Sequence, residues 1–156
     1  MMTAAERLAA IDALPAPELC RRVMETLESF ISIVNEETTL LRAGRTREAG
    51  TLSAEKTALA QDYMGLVRSV QRQAERLRHD APDAVEQLRA GHERLALQLA
   101  ENLKVLATAR SVAEDLLTDV ANTLGGQSRA RTYGAGGQLD QGAQGGANGL
   151  AVNRAL

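Results

Sequence analysis

The stretch VEQLRAGHERLALQLAENLKVLATARSVAEDLLTDVANTL, residues 85–124, decides the fold class. Val85, Leu88, His92, Leu95, Leu99, Asn102, Leu106, Ala109, Ala113, Leu116, Val120 and Leu124 follow one another in steps of three and four. Only His92 and Asn102 interrupt the apolar and small residues of this seam. Such spacing puts all twelve on one face of an α-helix, the periodicity of interdigitating bundles. With a start at the His79–Asp83 turn, where Pro82 suits a first helical turn, the helix has roughly 42 residues and a length of about 63 Å.

Upstream lies a second seam, Leu52, Lys56, Leu59, Tyr63, Leu66, Val70, Ala74 and Leu77, in which Lys56 is the one charge. It predicts a helix from somewhere in 46–53 to about Arg78, roughly 27–33 residues or about 40–50 Å. A third seam, Cys20, Met24, Leu27, Ile31, Val34, Thr38 and Leu41, is widened by Val23 and Phe30 and ends at Gly44. Residues 3–14 carry Leu8, Ile11 and Leu14 on one side, enough for a short helix before Pro15 and Pro17. Short connections make neighbouring helices antiparallel. The chain therefore reads as all-α: an arm over 1–17, an antiparallel, coiled-coil-like three-helix bundle over 18–124 with a long third helix, and a tail over 125–156. Gly125-Gly126 is expected to stop the third helix. Nine of the thirteen glycines fall in that tail, which buries too little apolar surface to offset its ordering entropy and is expected to be disordered.

Composition narrows the function. Phe30, Tyr63 and Tyr133 are the only aromatic residues among 156, and there is no Trp. Leu, Ala, Val and Ile, interleaved with Glu, Arg and Gln, supply the apolar surface instead, as in long helices with packed seams. A net charge of −2 implies no general attraction to nucleic acid or acidic membranes. The single Cys20 suits a reducing compartment, no apolar run reaches the roughly 20 residues of a membrane span, and the first residues lack the pattern of a secretory signal. A soluble, cytoplasmic protein is the expectation.

No residue set carries chemistry. His79 and His92 lack the Glu three positions earlier that di-iron bundles use, and no Cys pair or His-x-x-x-His pair is present for zinc. His92 on a seam reads as structural, and His79 at a helix end suits the C-terminal dipole. Glu36, Glu37 and Glu55 read as solvated helical acids, and Cys20 as a small core residue. Arg68, Arg72 and Arg76 form an i, i+4, i+8 stripe, read as a solvated face compensated by acids of a neighbouring helix. Gly65 and Gly91 mark either close helix approach or tolerated weak points. No enzyme, metal or cofactor is expected.

Residues 27–41, LESFISIVNEETTLL, and 52–59, LSAEKTAL, resemble the FlgN-type flagellar export chaperones. The matching pattern is Glu37 four residues before Leu41, a polar break, then Leu52, Lys56 and Leu59. The likeness covers about residues 20–80 and rests on a loose heptad-like pattern; YGAGG (133–137) and LAVNRAL (150–156) also look like tails of shorter members. It implies a cytosolic chaperone that binds hook–filament junction (hook-associated) proteins, prevents premature assembly and delivers them to the export gate. It implies client binding toward the C-terminal part, with no cofactor and no nucleotide hydrolysis. The glycine-rich end departs from the family pattern.

The bottom-up reading meets that implication at the end of the third helix, which outruns its partners. Val112, Leu116, Leu117, Val120 and Leu124 are expected to be uncovered and to bind a partner, with Tyr133 as a further anchor. Two rivals use the same surface: a self-associating structural coiled-coil component of a secretion or flagellar apparatus, and a regulator that sequesters another factor.

Overall fold

The structure is a computed structural model that describes residues 1–131, with the side chains of residues 1–126. The expected disorder of the glycine-rich tail and the expected role of Tyr133 fall largely or wholly outside the described residues. Every regular element among them is helical: α1 (Ala4–Asp12), α2 (Ala16–Arg42), α3 (Thr46–Thr51), α4 (Ser53–Arg72), α5 (Ala74–Asp80) and α6 (Pro82–Arg131). The chain divides into two compact units, Met1–Asp115 and Leu116–Leu156.

The first unit is an up-down-up bundle of α2, the α3–α5 series and the first part of α6. Its handedness of direction is visible in cross-helix pairs. Glu37 meets Lys56, and Phe30 lies beside Tyr63 with ring centroids 6.2 Å apart, so α2 and α4 are antiparallel. Lys56 meets Asn102 and Tyr63 meets His92, so α4 and α6 are antiparallel as well. Glu28 pairs with Arg94 and Arg42 with Glu101, which makes α2 and α6 parallel.

Local chemistry sets the boundaries. Thr3 and Glu6 form a capping box that starts α1 (Thr3 Oγ1 accepts from the Glu6 amide at 3.2 Å; the Thr3 amide donates to Glu6 Oε2 at 2.6 Å). That amide bond holds the Glu6 carboxyl below its ordinary pKa. Gly44, at φ +72°, ends α2: its amide bonds Leu41 O at 3.0 Å and the Arg45 amide bonds Leu40 O at 2.9 Å. This is the paired-bond stop that a left-handed residue permits. The helix expected over about 46–78 is instead three helices. The Leu52 amide closes on Ala49 O and the Gln73 amide is shared between Ser69 O and Val70 O, tight turns that interrupt the regular ladder.

The reverse difference occurs at Gly125-Gly126. The stop expected there is absent, and α6 runs through both glycines to Arg131. Glycine weakens a helix by about 1 kcal/mol relative to Ala. It ends one cleanly when it takes a left-handed φ, and Gly44 alone does so among the described residues.

The core holds Leu19, Val23, Leu27, Phe30, Val34, Tyr63, Leu66, Leu77, Leu88 and Leu95, with Cys20 enclosed among them. It includes a polar layer. Lys56 Nζ donates to Glu37 Oε2 (2.6 Å) and to Asn102 Oδ1 (2.8 Å). Asn102 Nδ2 donates to Glu37 Oε2 (2.7 Å) and Thr38 Oγ1 (3.0 Å), and Thr38 Oγ1 donates to Val34 O (2.9 Å). Glu37 and Asn102 are 6% and 1% exposed. Glu37, expected as a solvated acid, is thus corrected to a core residue: a lysine on one neighbouring helix and an amide on the other satisfy its carboxylate. Removing one member of a buried pair strands the other and costs about 3–5 kcal/mol. Lys56 retains some exposure, so Glu37→Leu is expected to cost about 3 kcal/mol. Glu37→Leu/Lys56→Met/Asn102→Leu is expected to recover most of it. Urea denaturation reads both, and a single variant as stable as the parent contradicts this role.

The two interior glycines separate. A Cβ on Gly91 would lie 3.0 Å from Leu27 Cδ2 and 3.4 Å from Met24 Sδ, whereas one on Gly65 meets nothing within 4 Å. Gly91 marks close approach of α6 to α2, and Gly65 is a tolerated weak point. Gly65→Ala is expected to stabilise by up to about 1 kcal/mol, or a few degrees in Tm. Gly91→Ala gains less or loses, because Leu27 must yield. Calorimetry giving equal gains for both would refute the distinction.

Candidate functional site

The long seam of α6 is buried only in part. Leu88, Leu95 and Asn102 are enclosed and Leu99, Leu106 and Ala109 are half-buried, while every residue from Arg110 to Gly126 is exposed. The apolar pattern outlasts the burial.

Val112, near the end of the first unit, is 53% exposed. In the second unit Leu116, Leu117, Val120 and Leu124 are 59%, 70%, 55% and 59% exposed. Leu116, Val120 and Leu124 recur every four residues and Leu117 adjoins them, so helical geometry gathers these four on one side. The exposure expected for the five residues is therefore present, and four of them form one face within the second unit. Tyr133, the sixth expected site residue, lies outside the described residues.

The remaining candidates resolve into structural contacts. Tyr63 Oη lies 2.8 Å from His92 Nδ1 with the rings stacked at 6.1 Å, which links α4 to α6. Burial raises the Tyr63 pKa. His79 is exposed, its Nδ1 2.8 Å from the Asp80 carboxylate. Burial pushes the Cys20 thiol up, only partly opposed by Arg76, so Cys20 is held as the thiol at neutral pH.

The arginine stripe has a specific use that the sequence pattern did not reveal. Arg72 Nη2 donates to both oxygens of Asp12 (3.0 and 3.1 Å) and to Ser69 Oγ (2.9 Å), and Gln73 Nε2 adds a bond to Asp12 at 3.2 Å. Arg76 Nη2 donates to Leu14 O at 3.1 Å. Two of the three arginines thus hold the C-terminal end of α1. Arg68 instead borders a shallow groove with Phe30, Ala60 and Met64. Only Asp12, well away in sequence, could have signalled this pairing, and no spacing rule connects it to Arg72.

No protein-family model, curated protein or solved structure matches this chain. No helix among the described residues is long and apolar enough to cross a membrane.

The Asp12 clamp makes α1 docking pH-dependent. Hydrogen bonding from Arg72 is the leading cause that lowers the Asp12 pKa, against a desolvation that raises it. A carboxyl depressed in the folded state stabilises above its unfolded pKa of about 3.9 and loses that contribution as pH falls through the folded value. The amide resonances of residues 4–12 are expected to shift toward undocked positions at the acid end of that window. Asp12→Asn should abolish the clamp's pH dependence; an unchanged titration of α1 in that variant would exclude it.

Proposed function

We propose that this chain is a holding protein that binds an amphipathic helix of a client on the face formed by Leu116, Leu117, Val120 and Leu124. The observation that carries the reading is the exposure of those four large apolar side chains on one helical side. A contiguous apolar face of this kind marks an interaction site, and a helix-in-groove or helix-on-helix contact reads it at i, i+3 and i+4 positions. The resemblance of residues 27–41 and 52–59 to FlgN-type export chaperones supplies the narrower form. In that form the clients are flagellar hook-associated proteins, kept unassembled in the cytoplasm and handed to export-gate components, and the chain acts without catalysis or cofactor.

The magnitudes suit a hold that is later released. About three-fifths of each side chain remains to be buried. At roughly 1.5–3 kcal/mol for a fully buried side chain, the four together gain about 4–7 kcal/mol. Association itself costs on the order of 4–15 kcal/mol. This face alone therefore gives a transient complex, and tight retention requires further contacts.

Co-expression with candidate hook-associated proteins tests the narrower form: one of them is expected to co-purify and to be protected from proteolysis. Leu117→Asp/Val120→Asp is expected to remove that co-purification while circular dichroism keeps its helical signal. Binding that survives the double variant excludes this face. A tight homodimer in analytical ultracentrifugation, broken by the same substitutions, favours the structural coiled-coil component instead.

A further inference from the structure

The arm α1 is fastened at one end only. Its Asp12 and the following Leu14 carbonyl are held by Arg72, Gln73 and Arg76. Among the described residues, no hydrogen bond or ion pair ties residues 4–11 to α2 or α4, and none of the nine residues of α1 is buried. Between α1, α2 and α4 lies a cleft of about 490 Å³. Arg7, Leu8 and Ile11 line it from α1, Arg22 from α2, and Gly65 and Leu66 from α4.

The charge of the cleft selects an occupant. Among the described residues neither Arg7 nor Arg22 forms an ion pair; Arg22 lends only longer-range attraction to Glu18, whose carboxylate is taken by Arg21. Asp62 is the one acid at the margin. Two guanidinium groups beside Leu8 and Ile11 present donors for a carboxylate next to a place for apolar side chains. A basic rim of this kind disfavours a basic helix and rewards an acidic one. The α1 fastening shows the same chemistry in cis, with the acid Asp12 on Arg72.

We infer that α1 is a one-ended clasp, and that the cleft beneath it receives a short amphipathic helix of a partner protein that carries glutamate or aspartate beside its apolar face. Arg7 and Arg22 pair with that acid, and the apolar face of the helix covers the exposed parts of Leu8 and Ile11. The site lies within the first unit and does not depend on the face at Leu116–Leu124.

The probe is a fluorescein-labelled 14-residue helical peptide with leucines on one face and glutamates beside them, titrated against the full chain by anisotropy. A twin peptide carries lysine at every glutamate. The glutamate peptide is expected to bind and the lysine twin to bind at least about tenfold more weakly, the scale of one lost charge-assisted contact. Arg7→Glu/Arg22→Glu should reverse that preference, and Arg7→Gln/Arg22→Gln should abolish it. Both arginines are exposed, so circular dichroism should be unaltered. Leu117→Asp/Val120→Asp should leave the binding intact, which distinguishes this cleft from the α6 face. Equal binding of the two peptides, no binding of the glutamate peptide, or a preference that survives the charge reversal would overturn the clasp.

Discussion

The bundle depends on four side chains that meet where its three helical columns converge. Glu37 and Thr38 come from α2, Lys56 from α4 and Asn102 from α6. A leucine seam tolerates sliding by a heptad, because one leucine layer packs much like the next. A carboxylate, an ammonium and an amide do not. A shift of any helix leaves a buried polar group unpaired, at a cost of about 1–3 kcal/mol for a neutral group and more for a charged one. The layer therefore acts through specificity, as a single polar position does in coiled coils. No buried side-chain polar atom among the described residues lacks a partner.

Around this layer the packing is built from thin side chains. With Phe30 and Tyr63 as the core's aromatic residues, helix separation is set by Leu, Val, Ile and, at one point, by the bare backbone of Gly91 against Leu27 and Met24. Along α6 the seam passes from buried at Asn102 through half-buried Leu106 and Ala109 to exposed at Ala113. The candidate binding face lies in the exposed part of that repetitive pattern.

Much of this was readable from period alone. All-helical architecture, three seams, the order of the columns and the exposure of Val112 through Leu124 follow from steps of three and four and from relative lengths. Gly44 was legible because its backbone constraint is local. Other features depend on tertiary context. The tight turns at Leu52 and Gln73 leave the apolar spacing intact, so periodicity passes over them. Glu37 resembled any exposed acid until Lys56 and Asn102 arrived beside it from other helices. Gly65 and Gly91 are equivalent as letters and differ only in what stands opposite. Gly125-Gly126 carried a helix-ending signal that propensity alone was too weak to enforce.

The polar layer also orders the assembly of the molecule in time. Glu37 and Lys56 are separated by 19 residues, whereas Asn102 is 65 residues beyond Glu37. Loop-closure entropy grows with the logarithm of length, so the shorter loop closes at a cost lower by roughly 1 kcal/mol. The α2–α4 hairpin is thus the entropically favoured first contact, with Lys56 and Glu37 paired while one side is open to water. Docking of α6 then seals that side with Asn102. During synthesis from the N-terminus the same sequence holds, since both members of the ion pair leave the ribosome before their amide partner. The charged pair gives the half-built molecule a water-compatible seam at that level, where a leucine layer would present a sticky one.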